Sequence, residues 1–270
     1  MNPPSLFAKG PKKIALFANH QAGLRVAQFL QSQSEPDQIV ALSLCDLNPE
    51  VDNLILDVCR LEPECVFIGY QDFSQPDVFQ RFSSLQPDVI ICVYWPWLLP
   101  ASIYSECDLT INFHPALLPA NRGWYPHVHN IINGDLAGVT LHELAPEADS
   151  GAIWAQKIVD VLSTDTADTL YYRLQEEIVS LFERKWPLIR DGMVNPIPQC
   201  ESSVTPTYNK KNILKQLDAI KLDEPTTARH VINVLRARTF GARGFAHYED
   251  DQGLVYVRIE LSRSSAFEDA

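Results

Sequence analysis

Three side chains of different chemical type carry the clearest signal in this 270-residue sequence: a carboxamide, an imidazole and a carboxylate. The stretch Thr110-Ile111-Asn112-Phe113-His114 alternates and then breaks at Pro115. Residues two apart in a strand share a face, so Asn112 and His114 project together from a strand end, where α/β sheets place their ligands. A carboxamide can donate a hydrogen bond, and an imidazole with an ordinary pKa of about 6.5 switches between proton donor and acceptor. Such a pair suits an oxygen that becomes negative during reaction. The competing reading is a strand end with a satisfied histidine. Asp149-Ser150-Gly151 lies in a turn, where an aspartate is ordinary turn chemistry. It gains catalytic meaning only if the fold returns it to His114.

Other residues of chemical interest surround this core. Pro115, Pro119 and Pro126 bracket Asn121-Arg122-Gly123. A loop so rich in proline is stiff, and Gly123 permits a backbone conformation that a side chain would forbid. The planar fork of Arg122 could bind a phosphate or carboxylate, or form an ordinary surface ion pair. His127, His129 and His142 lack metal-ligand spacing and read as structural or supporting groups. The six cysteines form no CxxC pair, so neither a zinc site nor a disulfide framework is indicated. They read as structural thiols in a reducing compartment, most simply the cytoplasm.

These groups need a rigid layer to position them. Residues 13–18, 39–45, 66–68 and 88–95 are short, continuous apolar runs separated by helical or polar segments. One of those segments, 23–33, places Leu24, Ala27 and Leu30 at helical spacing. Continuous runs indicate strands buried on both faces, and intervening helices make the sheet parallel and doubly wound, of Rossmann type. The turn after the first run holds one glycine rather than GxGxxG, so NAD or FAD is not expected.

From Thr140 the pattern shifts. Residues 139–144 and 153–161 read as strands joined through Pro146 and Asp149. Residues 168–190 form an amphipathic helix, with Leu170, Leu174, Ile178, Leu181 and Phe182 on one stripe and Thr164 and Asp165 as candidate caps. Residues 193–206, with three prolines and little periodicity, read as a linker. Beyond it, Pro225 opens a helix carrying Ala228, Val231, Ile232 and Leu235 on one face. A hairpin then joins 245–248 to 254–261 across 250–253. The predicted organisation is α/β: a Rossmann-like catalytic domain over 1–200 and a small C-terminal α+β module, a helix plus a β-hairpin, over 201–270.

Composition narrows the partners. A net charge of -12 and a pI of about 5.0 argue against a surface built to neutralise nucleic-acid phosphates. No apolar run approaches the roughly 20 residues of a membrane helix. The N-terminal stretch 1–13 lacks the apolar core of a signal peptide and reads as a frayed tail.

The series Asn112-Phe113-His114-Pro115, Leu117-Leu118-Pro119, Arg122-Gly123, Gly138-Val139-Thr140 and Asp149-Ser150-Gly151 resembles the formyltransferases that use 10-formyltetrahydrofolate, across roughly residues 12–195. Within that family, residues 121–129 are most similar to the sugar N-formyltransferases, whose substrates are dTDP-linked amino-dideoxy sugars such as dTDP-4-amino-4,6-dideoxyglucose. The resemblance implies a Rossmann-like catalytic domain, a 10-formyltetrahydrofolate co-substrate without a metal, and a homodimer. It implies Asn112, His114 and Asp149 as the catalytic residues. A folate pocket would follow Tyr94, Trp95, Trp97, Leu98 and His142; Trp95 and Trp97 either wall that pocket or the sugar, or belong to the core.

The same resemblance places the acceptor against Asn121, Arg122, Gly123, Trp124 and Tyr125. Residues 235–240 are similar to an Arg-Ala-x-Thr-Phe element that contacts the nucleotide, which implicates Arg236, Arg238 and Phe240. The following Gly241-Ala242-Arg243 departs from the Thr-Phe-Pro-Pro form of many relatives. The competing reading there is a helix end whose cations complement the helix dipole. The implied product serves O-antigen or other surface polysaccharide synthesis. Methionyl-tRNA formyltransferase and formyltetrahydrofolate hydrolase are the rival activities, and the acidic chain with its short C-terminal module weighs against tRNA.

Overall fold

The computed structural model of the protein describes residues 10–33, 36–105, 107–201 and 204–263. The expected frayed tail falls largely on residues 1–9, outside the described residues.

The apolar runs become the strands β1 Lys13–Ala18, β2 Gln38–Leu44, β3 Val66–Ile68, β4 Val89–Val93 and β5 Leu109–His114, all parallel. Helices α1 His20–Gln31, α2 Pro49–Cys59, α3 Pro76–Ser83 and α4 Ala101–Tyr104 connect them. Every residue of β4 is buried, as a strand covered on both faces requires. A two-residue strand, β6 Arg122–Gly123, and α5 Pro126–Asn133 follow, and then β7 Ala137–His142 and β8 Ile153–Val159. The central sheet runs β3-β2-β1-β4-β5-β7-β8, with β7 antiparallel to β5 and β8 antiparallel to β7. The strand order reverses between β1 and β4, and a sheet of this kind opens a crevice beyond its strand ends at that point.

The long helix α6 Ala167–Arg190 covers one face of the sheet, burying Leu170, Leu174, Ile178, Leu181 and Phe182 as the stripe predicts. Burying a side chain the size of Phe182 stabilises by about 1.5–3 kcal/mol. Trp186 stacks on Phe182 and donates its indole N–H to Asp37 Oδ2 at 2.6 Å. The cap differs from the two candidates: Thr166 is the N-cap, and it closes a capping box with Thr169. Asp165 is instead buried and paired with Arg173.

The stretch 193–206 does more than link. Ile197 bridges to Ile153 at the edge of the sheet, and Gln199 is buried. Just beyond, β9 Tyr208–Asn209 pairs in parallel with β6. The C-terminal elements are α7 Leu214–Asp218, α8 Ala228–Ala237, the short pair β10 Thr239–Phe240 and β11 Arg243–Gly244, and the hairpin β12 His247–Asp250 with β13 Gly253–Tyr256. Helix α8 starts later than Pro225 suggests, because the Thr227 hydroxyl accepts from His230 N and sets the boundary there.

Candidate active site

A cavity of about 630 Å3 opens at the ends of β1, β4 and β5, beside the reversal of strand order. Asn112, His114 and Asp149 all line it. Asn112 and His114 arrive as the alternation of β5 predicts. Asp149 returns to them on the turn between β7 and β8, in a left-handed conformation at φ 54°. That conformation is uncommon for a residue with a Cβ and persists where neighbouring contacts enforce it.

Those contacts are on every side. The Asp149 carboxylate accepts from Gly123 N at 2.9 Å through Oδ2, and Oδ1 accepts from Asn112 Nδ2 at 3.4 Å. His114 Nδ1 faces Oδ2 at 3.5 Å, and His142 Nε2 faces Oδ1 at 3.5 Å. His142 also donates from Nδ1 to Glu143 O at 2.7 Å, so its Nε2 is the acceptor for Asn112 Nδ2 at 3.1 Å. Asn112 therefore presents amide hydrogens to the cluster. Gly151 is required two residues on, since a Cβ there would lie 2.0 Å from Glu143 O.

His114 donates from Nε2 to Asn121 O at 2.9 Å. A carbonyl only accepts, so the nitrogen left for proton exchange is Nδ1, the one facing Asp149. Burial lowers the His114 pKa, with Asp149 opposing and His142 and Arg122 adding to the fall. The imidazole is thus neutral at pH 7. Burial alone would raise the Asp149 pKa, but the charge that His114 and His142 carry when protonated, together with the Gly123 amide, holds the carboxyl well below the usual carboxylate range. The cluster pairs an anion with a neutral imidazole that has a free lone pair. An attacking nucleophile could lose its proton there.

Comparison with known proteins agrees with the motif series. The family model described as "Formyl transferase" matches residues 16–184, and one described as "N-formyltransferase dimerization C-terminal domain" matches residues 214–263. The chain belongs to the formyl transferase family. A dTDP-4-amino-4,6-dideoxyglucose formyltransferase of Mycobacterium tuberculosis is 32% identical over 189 residues, 68% of this chain and 79% of that protein. A methionyl-tRNA formyltransferase of Streptococcus thermophilus is 32% identical over 208 residues, 72% of this chain and 65% of that protein. Among solved structures, a 4-N formyltransferase from Francisella tularensis superposes with a TM-score of 0.79 at 25% identity, covering 93% of this chain and 98% of the other.

In this formyl transferase the predicted folate-side residues Tyr94, Trp95, Trp97, Leu98 and His142 all line the cavity. The two readings of Trp95 merge: its ring packs edge-on against the core residue Phe17 and also against Trp97. Leu98 stands at the rim, 75% exposed. His142 is buried within the polar cluster. Of the predicted acceptor-side residues, Gly123, Trp124 and Tyr125 line the cavity, while Asn121, Arg122, Arg236, Arg238 and Phe240 do not.

Each of the latter has a structural occupation. Asn121 gives its carbonyl to His114 and its side-chain oxygen to Asn209. Arg122 donates to Gln199 Oε1. Arg236 donates to the backbone carbonyls of Leu162 and Asp165, and Arg238 pairs with Asp218. Phe240 packs on Tyr171 and Tyr172. The two arginines tie α8 to the catalytic layer and to α7, rather than opening onto the cavity.

Sequence reading missed Asn19, His20, Tyr171 and Tyr208 in the lining. Asn19 and His20 had a signal, because they follow the first strand directly. Asn19 caps α1 and also donates to Tyr94 O at 3.1 Å, joining the two strand ends that flank the reversal. His127 lines the cavity too; burial, with Arg238 and His129 nearby, pushes its pKa down to about 3, so it is neutral.

Gly123 supplies a direct test of the cluster's geometry. Its φ is +86°, and an added Cβ would lie 2.5 Å from Asn209 O. Gly123→Ala is expected to destabilise the fold by about 1–3 kcal/mol and to lower kcat as the Asp149 carboxylate loses its anchor. Urea unfolding and steady-state kinetics check both; wild-type values in both would mean the β6–β9 contact is slack.

Proposed function

We propose that this formyl transferase moves the formyl group of 10-formyltetrahydrofolate to the amine of a dTDP-linked amino-dideoxy sugar, dTDP-4-amino-4,6-dideoxyglucose being the first candidate, for surface polysaccharide synthesis. The observation that carries the reading is the convergence of Asn112, His114 and Asp149 on one wall of the cavity at the strand ends. The neutral amine attacks the formyl carbon, the carbonyl oxygen becomes negative, and the bond to the folate nitrogen breaks. The amine gives up one proton and the departing folate nitrogen takes one.

Asn112 donates to the developing oxyanion, exchanging its long 3.4 Å contact to the Asp149 carboxylate for a shorter one to the new charge. His114 takes the amine proton at Nδ1 and returns it to the leaving nitrogen, while Asp149 stabilises the intervening imidazolium. The folate lies on the Tyr94–Trp97 side and the sugar against Gly123, Trp124 and Tyr125.

Two facts support a sugar over tRNA. The sequence match covers 79% of the dTDP-4-amino-4,6-dideoxyglucose formyltransferase but 65% of the methionyl-tRNA enzyme. The net charge of -12 also disfavours a phosphate-rich partner. The protein acts as a homodimer through 214–263, where Leu254 and Tyr256 on the terminal hairpin are exposed.

The test is incubation with 10-formyltetrahydrofolate and a panel of amino sugars linked to dTDP, UDP or GDP, read by mass spectrometry. A single formyl gain on a dTDP amino sugar is expected. Formylation of methionyl-tRNA alone, or formate release without any acceptor, would replace this reading by the transferase or hydrolase alternative.

A further inference from the structure

Gln199 lies outside both matched family regions, in the aperiodic stretch between them. Its side chain is buried and fully committed. Nε2 donates to two backbone carbonyls of the turn that carries Asp149, Asp149 O at 2.8 Å and Gly151 O at 2.7 Å. Oε1 accepts from Arg122 Nε at 3.1 Å and Nη2 at 2.6 Å. Arg122 sits between Asn121, whose carbonyl holds His114, and Gly123, whose amide holds Asp149.

One carboxamide thus closes a ring. From Gln199 the contacts run through Arg122 to Gly123 N, to the Asp149 carboxylate, along the Asp149 backbone, and back to Gln199. The branch through Asn121 fixes the imidazole against the same carboxylate. The chemistry of the position is specific, because both donor and acceptor ends are used: a carboxylate serves the guanidinium but repels the two carbonyls, and an apolar chain serves neither.

We propose that Gln199 is a positioning residue for the transfer, locking the left-handed Asp149 turn to the Arg122 strand so that carboxylate and imidazole meet. The proposal rests on the catalytic reading of Asp149 and His114. Gln199 touches no reacting atom. It acts on kcat by holding in register two groups that arrive from separate elements, the imidazole from β5 and the carboxylate from the β7–β8 turn.

The test compares Gln199→Met and Gln199→Glu with Asp149→Asn in the full-length enzyme, assayed with 10-formyltetrahydrofolate and the amino sugar it formylates. Because misplacement by about 1 Å can cost about 100-fold, both Gln199 variants are expected to lose about 10- to 100-fold in kcat, with KM for each substrate changing by less than about 2-fold. Gln199→Glu, assayed at mildly alkaline pH, keeps the partner of Arg122 and loses only the carbonyl contacts. Its impairment therefore shows that both ends of the clamp are needed. Arg122→Met combined with Gln199→Met is expected to lose no more than the worse single variant, since the two residues act through one clamp.

Full kcat in Gln199→Glu, or strictly additive losses in the double variant, would overturn the clamp. Loss of kcat matched by a proportional loss of folded protein in thermal unfolding would overturn it as well, since Gln199 would then be a stability residue only. If Asp149→Asn is itself fully active, the catalytic reading fails first, and the two failures are told apart by that control.

Discussion

Replacing His114 by alanine is expected to lower kcat by about 10²- to 10⁴-fold, the range of a lost general acid–base, with KM for both substrates little changed. The imidazole is buried at the cavity wall, and its Nε2 hydrogen is already given to Asn121 O. Only Nδ1 can exchange a proton, and that exchange matters while bonds are being made rather than in ground-state binding, which is why kcat takes the loss. Steady-state kinetics together with equilibrium binding of a folate analogue separate the two.

The same residue sets the pH response. In the proposed reaction His114 must be neutral to accept the amine proton, and burial holds its pKa below the ordinary imidazole value of 6.5. The wild-type kcat is therefore expected to stay level through neutral pH and to fall only at pH below the ordinary imidazole range. An acid limb above that range, or turnover that survives the alanine change, sinks the assignment.

Asp149→Asn is expected to cost about 10³- to 10⁴-fold in kcat, the scale seen when an orienting carboxylate beside a catalytic histidine is neutralised. An amide of the same shape cannot satisfy this position. With its oxygen turned to Gly123 N, its nitrogen meets the amide hydrogens of Asn112, donor against donor. The imidazolium formed in the reaction would also lose its counter-charge.

Stability gives a second readout. The Asp149 carboxyl is held below the carboxylate range in the folded protein. Its charge therefore stabilises the fold at pH above its unfolded value, and that contribution disappears as pH falls through the folded value. Wild type should be more stable than Asp149→Asn at neutral pH, and the difference should close toward acid, measured by urea unfolding at several pH values.

The parts of the site that could be read from the sequence depend on short spacing. Asn112 and His114 share a strand face by simple alternation, and the apolar runs of β1, β2 and β4 announce a buried parallel sheet. Asp149 was legible only through the motif series, since nothing local brings a turn at 149 to a strand ending at 114. Gln199 and Tyr208 were not legible: their partners lie at 149, 151 and 122, and the stretch 193–206 that holds Gln199 has no period to mark a buried residue.

Arg236 shows the converse. Its type and neighbours suit an anion, but carbonyls from residues 162 and 165 occupy the guanidinium, and that competition is set by how α8 packs. The helix starts moved for a similar reason. Thr166 and Thr227 each found an amide to cap, which overrode Asp165 and Pro225.

The pairing of Tyr208–Asn209 with Arg122–Gly123 has a further consequence for grafting between relatives. A chimera joined after the sheet, anywhere ahead of residue 207, would import a foreign residue at the place of Tyr208 into the cavity along with a foreign 214–263 region. The cavity lining supplied by Tyr208 and the region 214–263 are therefore inherited as one block. Designs meant to change one without the other must place their crossover between Asn209 and α7.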